Sequence, residues 1–308
     1  MSDNQDLINQ IASAHLGKAG DGTVVKPYVT PDDVDKTLLV SVPRHLNRTQ
    51  YGIEDSNLPF KGADAWNAYE FSTLLKNGFP VSGWLKFVYP ANSPNIVESK
   101  SVKLYLNSYN MARLIENTEQ VHEISDRISG DLSEATGSFC EVHLFLGDVD
   151  THQPIKHDFV ALEEYCNVNE MEFTQYNESP DTLEVVPSIG RYERWRSNSL
   201  RSNCRVTNQP DWGDVYVHIK GEKAVTPESL LQYIVSMRKE NHFHEEIAEC
   251  IYKRLYDILQ PEELFVSCLY TRRGGIDINP TRASDVRVLY KYGAIADVTN
   301  FCTKTPRQ

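Results

Sequence analysis

Hydrophobic and polar positions follow a recognisable order of patterns over the first half of the chain. Residues 82–89 alternate as a β-strand does, and residues 101–113 fit a short helix. Apolar side chains then recur at helical spacing over residues 121–132, before residues 140–146 alternate again. This half is therefore predicted to form a strand, two helices and a further strand.

The second half repeats this order. Residues 214–220 alternate as a strand, and Thr226 with Pro227 provides the N-cap and first position of a helix. Apolar spacing predicts another helix over residues 247–258 and a strand over residues 264–270. Two such units predict a duplicated α+β protein with antiparallel sheets and paired helices.

An acidic, proline-containing segment, residues 167–190, separates the two units. Its composition is typical of a linker or an irregular excursion, and we place the boundary near residue 185.

Charge and cysteine content narrow the class of protein. The 308 residues include 43 acidic and 31 basic side chains, and the formal net charge of −12 argues against general nucleic-acid binding. The first residues lack the pattern of a signal peptide, and no apolar run approaches the roughly 18 residues of a membrane span. The six cysteines are widely spaced without a CxxC pair, so we expect free thiols and a cytoplasmic protein.

The polar, turn-rich segment 202–213 carries the first candidate chemistry. We expect it to present Cys204 on a loop, where nearby positive charge favours the nucleophilic thiolate. Arg201 and Arg205 flank this cysteine, and Asp211 is placed to return across the loop as a proton donor or acceptor. The alternative from the residues alone is a structural cysteine with an aspartate in a turn.

Two further segments are candidates for binding anions. Residues 97–110 place an acid and two lysines at the start of a helix, where backbone N–H groups attract phosphate. Residues 270–280 combine two arginines with two glycines, which let a backbone approach a ligand closely. A solvated helix end and a basic turn are the respective alternatives.

Other motifs do not have the spacing of a known site. The glycine-containing segment 17–22 fits neither phosphate-loop pattern and is interpreted as a flexible loop. His242 and His244 are too far apart around a helix to chelate together, and Cys140 and His143 would lie on opposite faces of a strand. No metal site is predicted.

Together the three candidate segments resemble the NADPH-dependent 7-cyano-7-deazaguanine reductase family (QueF) in its two-module form. The resemblance rests on ESKSVKLYLNS at 98–108, SNC at 202–204 with QPDWG at 209–213, FHE at 243–245 and RRGGIDINP at 272–280. The segments VPRHLNR at 42–48 and LPF at 58–60 also resemble it. The similarity spans roughly residues 36–282, with gaps.

The resemblance implies reduction of a nitrile to a primary amine in queuosine biosynthesis, with NADPH and without metal or flavin. It implies duplicated tunnelling-fold modules, with an N-terminal extension over 1–35, a first module over 36–185 and a second over 186–308. Tunnelling-fold proteins assemble through their sheets, so we expect a homodimer. We expect a small deazaguanine substrate, with no nucleic acid or membrane bound directly.

Roles for individual residues also follow from the resemblance. Cys204 would attack the nitrile carbon to form a thioimide, and Asp211 would supply protons. The residues that would hold the deazaguanine are Val97, Glu98, Ser99, His244 and Glu245. The residues that would contact NADPH are Ser99, Lys100, Arg273 and Gly274.

Two departures and two rival functions remain at this point. The arginine-rich stretch 187–196 and His242 differ from the family pattern; the stretch is either a solvated basic patch or extra attraction for an anion such as the NADPH phosphates. The rivals are a zinc-dependent cyclohydrolase or pterin-type enzyme on a similar fold, and a nucleobase-binding protein without turnover. Because the candidate residues are divided between the halves, we expect the site at an interface between modules, either within a chain or across subunits.

Overall fold

The computed structural model describes residues 2–12, 30–188, 192–306 and 308. Segment 17–22 and Arg191 lie outside the described residues. The helices are α1 Ser2–Ala12, α2 His45–Arg48, α3 Ser99–Asn107, α4 Val121–Thr136, α5 Leu162–Tyr165, α6 Pro227–Ser236, α7 His244–Leu259 and α8 Val286–Tyr292. The strands are β1 Ser41–Pro43, β2 Lys61–Leu75, β3 Pro80–Pro90, β4 Asn95–Val97, β5 Arg113–Ile115, β6 Glu141–Phe145, β7 Thr151–His152, β8 Val160–Ala161, β9 Val185–Pro187, β10 Tyr192–Cys204, β11 Pro210–Lys220, β12 Lys223–Val225, β13 Asn241–His242, β14 Glu263–Tyr270, β15 Ile276–Ala283 and β16 Phe301–Cys302.

A ten-stranded sheet runs through both halves of the chain. Its strand order is β13-β10-β11-β14-β15-β2-β3-β6, with β5 paired to β2 and β8 paired to β10. The halves join at β15 and β2, which pair antiparallel from Ile276 opposite Ala68 to Ala283 opposite Lys61. The α+β class with antiparallel pairing, expected from the sequence, is confirmed.

The first half consists of the hairpin β2–β3, then α3 and α4, and then β6 beside β3. One face of α4 is buried through Ile124, Ile128 and Leu132, which pack with sheet residues such as Phe87. The predicted helix over 101–113 is shorter than expected. It ends at Asn107, and Arg113 begins β5.

The second half has the same order, with the hairpin β10–β11, then α6 and α7, and then β14 beside β11. The Thr226 side chain caps α6 by accepting a hydrogen bond from the Ser229 N–H, and Pro227 occupies the first helical position. Ile247, Ile251 and Leu255 of α7 are fully buried against the sheet. These helices lie on the same face of the sheet as α3 and α4, while α8 packs on the other face.

The residues just before the predicted linker, and Met171, Phe173 and Leu183 within it, pack on the second half. Leu162 and Cys166 belong to the core beneath α6 and α7, and β8 pairs in parallel with β10. Within the residues that the structure describes, no helix is both long and apolar enough to cross a membrane.

Buried ion pairs also join the two halves. Arg44 and Arg282 both contact Asp64, and Arg48 and Arg282 both contact Glu249, at 2.7 Å and 2.9 Å. Each of these side chains is at most 5% exposed. Because Arg44, Arg48 and Asp64 come from the first half, the pairing fixes α7 and β15 against β2.

Candidate active site

The structure brings every residue predicted for the site to one cleft of about 370 Å³. The cleft lies where the two halves of the chain meet. Its walls are the junction of β4 and α3, the end of β10 with the adjoining start of β11, the start of α7, and the β14–β15 turn. The predicted residues along it are Val97, Glu98, Ser99, Lys100, Cys204, Asp211, His244, Glu245, Arg273 and Gly274.

Cys204 is the last residue of β10 and is half-buried. Its N–H donates to the Gln209 carbonyl at 2.8 Å, and its carbonyl accepts from the Asn208 N–H at 3.0 Å. The expectation that segment 202–204 is a loop is therefore wrong. The strand continues to the cysteine. It was not visible in the sequence because Ser202 occupies an inward, fully buried position where a strand normally has an apolar residue.

Asp211 lies on β11 opposite Ser202 and is 3% exposed. One carboxylate oxygen, Oδ2, is 3.3 Å from His244 Nε2, and Oδ1 accepts from Arg273 Nη1 at 2.5 Å. Burial alone would raise the pKa of Asp211, but the hydrogen bond and charge of His244, with the charge of Arg273, outweigh it and lower that pKa. The carboxylate is thus held ionised in this state.

His244 is oriented by stacking. Its ring lies parallel to that of Tyr270, with centroids 3.8 Å apart and 6° between the planes. As the first residue of α7, it is followed at once by Glu245, so the same helix start supplies a contact to Asp211 and a second carboxylate.

Glu98 caps α3. Its Oε1 accepts from the Lys100 N–H at 2.9 Å and its Oε2 from the Ser101 N–H at 2.7 Å. The carboxylate is 5% exposed and its orientation is set by the helix end. Since each carboxylate oxygen has two acceptor positions, a capping carboxylate can also accept from a ligand.

Glu245 is 3% exposed at the floor of the cleft. Burial, assisted by the charge of Asp64, raises its pKa to about 8, against the opposing effect of Arg44. The Tyr89 hydroxyl donates to Oε1 at 3.5 Å. Glu245 is therefore mostly protonated at neutral pH in the ligand-free protein.

Basic groups line the cleft at the start of α3 and in the β14–β15 turn. Lys100 is exposed, and Lys103 Nζ donates to the Gly274 carbonyl at 2.7 Å and to Glu70 at 3.0 Å. Gly274 and Gly275 have φ values of +58° and +80°, which residues with a Cβ rarely adopt. Cations beside a helix start and a glycine turn fit an anionic ligand such as a phosphate.

Two features of the cleft were not predicted from the sequence. One is an apolar wall, and the other is a cluster of charged side chains beside Cys204. Trp66, Ile276 and Ile278 line the cleft from β2 and β15. A strand pattern around residue 66 was the available signal, but buried polar residues interrupt it. For the cluster, the only signal was the unusual identity of His242.

The charged cluster, called here the Arg205 cluster, consists of Arg205, Glu240, His242 and Glu246. Arg205 Nη2 donates to Glu246 Oε2 at 2.6 Å, and the two ring nitrogens of His242 lie 2.7 Å from Glu246 and 3.0 Å from Glu240. Burial opposes the charge on His242, but the two carboxylates outweigh it and raise its pKa. The cluster links the end of β10 to the start of α7.

Arg194 and Arg196 of the arginine-rich stretch lie away from the cleft. Arg194 packs over the Tyr192 ring, and Arg196 Nε donates to the Phe159 carbonyl, at the opposite end of β10 from Cys204. Cys140 is buried, and the His143 ring packs on Phe145. In the described part of the chain, no three His, Cys, Asp or Glu side chains form a candidate metal site.

Comparisons with curated proteins give relatives over most of the chain. An "NADPH-dependent 7-cyano-7-deazaguanine reductase" of Dechloromonas aromatica is 40% identical over 273 residues, covering 88% of this chain and 91% of the relative. Proteins of the same name from Colwellia psychrerythraea and Rickettsia massiliae are 40% and 41% identical over 256 residues. They cover 81% and 82% of this chain, and 86% and 89% of their own length.

Family models match both halves. Residues 30–144 match "Nitrile reductase, 7-cyano-7-deazaguanine-reductase N-term", and residues 210–288 match "QueF-like protein". Among solved structures, "archaeosine synthase QueF-Like in the apo form" aligns with 32% of this chain and 98% of its own, at 20% identity and a TM-score of 0.28. That score is too low to bear on the fold.

Proposed function

This chain belongs to the family of NADPH-dependent 7-cyano-7-deazaguanine reductases, and we propose that it performs the family's reaction in the cleft between its two halves. The reaction is the four-electron reduction of the nitrile of 7-cyano-7-deazaguanine to a primary amine. One observation carries the proposal: a half-buried thiol, an ion-paired aspartate and two buried carboxylates line one cleft, although they come from distant parts of the sequence.

The carboxylates Glu98 and Glu245 are suited to a guanine-like base, whose N–H edge donates hydrogen bonds. Val97 and Ser99 flank the first carboxylate, and His244 flanks the second. The apolar wall, including Trp66, excludes water from the face of the base and strengthens these polar contacts.

Cys204 and Asp211 are proposed to carry out the covalent step. The Cys204 thiolate forms a bond to the nitrile carbon, one C–N π bond breaks, and the nitrogen takes a proton from Asp211. The product is a thioimide, in which the carbon accepts hydride far more readily than in a nitrile. After the first reduction the thiolate leaves, which regenerates Cys204 and gives an imine.

NADPH fits the basic part of the cleft, where Ser99, Lys100, Arg273 and Gly274 would hold it. Exposed Lys100 is opposite in charge to the phosphate groups, and the glycine turn leaves space for them. When bound, NADPH supplies hydride, and two are consumed for each nitrile because the reduction takes four electrons. The intermediate has to stay bound in the cleft while the nucleotide is exchanged between the two hydride transfers.

We also propose that each half is a tunnelling-fold module, with an extension over residues 1–35 and modules over 36–185 and 186–308, and that two copies assemble through their sheets. The support is the order of elements, a hairpin followed by two helices and an antiparallel strand in each half. Light scattering of the purified protein would give the oligomeric state, and a monomer at working concentration would refute the homodimer.

A stoichiometry assay tests the proposed reaction. With 7-cyano-7-deazaguanine as the limiting reagent, oxidation of NADPH should stop at two equivalents, with the amine as product by mass spectrometry. Cys204→Ser should abolish oxidation, while Cys166→Ser, at a cysteine outside the cleft, should retain it. No substrate-dependent oxidation by the wild-type protein would refute the proposal.

A further inference from the structure

Arg273 makes contacts that a residue serving the nucleotide alone would not need. Its Nη1 donates to Asp211 at 2.5 Å and its Nη2 to Gln209 Oε1 at 2.6 Å. The Arg273 side chain is 36% exposed, whereas Asp211 is 3% exposed. A partly solvated cation is thus paired with the buried carboxylate proposed as the acid.

The two proposed uses of these residues conflict in the ligand-free structure. Asp211 donates a proton only when it is protonated, but an ion pair with Arg273 favours its charged form. Nucleotide phosphates, in turn, would require the same guanidinium. Both requirements can be met if the guanidinium leaves Asp211 when the phosphates bind.

We propose that Arg273 alternates between Asp211 and the phosphate groups of NADPH, so that nucleotide binding frees Asp211 to take up the proton that it then donates. This inference rests on the proposed function of the cleft. The proton comes from solvent as Arg273 departs and goes to the nitrile nitrogen as the C–S bond forms. Without nucleotide the same step proceeds more slowly, through the small protonated fraction of Asp211. Only the side chain has to move, because hydrogen bonds between the backbones of Arg273 and Ile276 fix the turn itself.

Four titratable groups face Asp211 from the elements around it. They are His244 at the start of α7, Arg273 in the β14–β15 turn, Tyr270 at the end of β14 and Cys204 at the end of β10. Of these four, Arg273 is the permanent cation and the most exposed. His244 has the larger effect on Asp211 but is held by its stack on Tyr270, so Arg273 is the group that can leave Asp211 when phosphates bind.

The pH dependence of thioimide formation, measured without nucleotide, separates this role from simple nucleotide binding. The limb of the rate profile that falls with rising pH reports protonated Asp211. Arg273→Gln should move its midpoint upward by about 1–3 pH units, the effect of removing one close opposite charge. Arg273→Lys, which keeps the charge, should move it less.

Lys100→Gln is the matched control. Lys100 is also proposed to bind NADPH but is not one of the groups that hold Asp211. Both Arg273→Gln and Lys100→Gln should weaken binding of NADP⁺, whereas only the former should shift the pH profile.

The effect of NADP⁺ on the same pH profile provides a second test, and its main result is measured on the wild-type protein. In the wild-type protein, saturating NADP⁺ should raise the midpoint as Arg273→Gln does, and it should cause no further shift in that variant. By linkage, NADP⁺ binding should take up protons near this midpoint. A profile unchanged by Arg273→Gln and by NADP⁺ would overturn the inference and leave the proposed function standing. No thioimide in the wild-type protein at any pH would overturn both.

Discussion

At the scale of single residues, Glu245 shows how burial sets the charge of a binding group. A glutamate is normally an anion at pH 7. Burial at the start of α7 is the main reason that the pKa of Glu245 is raised to about 8. In the proposed complex a guanine-like base would donate hydrogen bonds to Glu245, which favours the ionised form of its carboxyl group. Substrate binding must therefore remove a proton from this side chain.

We expect binding of 7-cyano-7-deazaguanine to Cys204→Ser, which cannot form the adduct, to release nearly one proton at pH 7. Affinity should rise from pH 6 to pH 8 and level off above it, because the carboxyl group is then already ionised. Calorimetry in two buffers of different ionisation enthalpy measures the release. Adding Glu245→Gln should abolish it and weaken binding roughly ten-fold or more. Proton release that persists in the double variant would assign the proton to another group.

At the scale of elements, the Arg205 cluster holds the end of β10, which carries Cys204, to the start of α7. Arg205 directly follows β10 and Glu246 lies in the first turn of α7, and their side chains are 1% and 4% exposed. Removing one partner of a buried ion pair leaves the other charge without compensation, which costs far more than the loss of an exposed pair.

We expect Glu246→Gln to lower the free energy of unfolding by about 3 kcal/mol or more, because Arg205 stays buried and charged. Glu134→Gln removes the partner of Lys36 in an exposed pair and should cause no measurable change. Urea unfolding of both variants beside the wild-type protein checks this contrast. Equal stability of the two variants would show that the cluster does not hold these elements together.

Element prediction succeeded where inward positions are apolar and failed where they are polar. The sequence indicated β3, β11 and both long helices, but gave no strand for β2 or β10. In β2 the fully buried positions include Asp64 and Thr73, and in β10 they include Ser197 and Ser202. Strand alternation is visible only when the inward side chains are hydrophobic, so these two strands were hidden.

At the scale of the whole molecule, the residues predicted for the site line one cleft, but the sequence did not indicate how they contact one another. The family, the enzyme class and the use of NADPH are confirmed by the comparisons. The pairing of Arg273 with Asp211, and of β15 with β2, joins segments far apart in sequence, and such contacts leave no local pattern. Residue roles within the cleft stay predictions.

We expect residues 186–308, expressed alone, to fail to reduce the nitrile. They would lack Glu98 and Lys100, expose the edge of β15, and leave Glu249 and Arg282 without partners from the first half. NADPH oxidation by this fragment, alone and mixed with residues 1–185, measures the effect. Robust reduction by the fragment alone would show that the first half has only a structural role.

The central claim, that this cleft forms a covalent intermediate through Cys204, is tested most directly by mass spectrometry of the intact protein with 7-cyano-7-deazaguanine and no NADPH. We predict a stoichiometric gain equal to one substrate molecule, mapping to the peptide that contains Cys204 and absent from Cys204→Ser. An adduct on Cys140 or Cys250, which are fully buried, or no adduct under conditions that support turnover, would contradict the account.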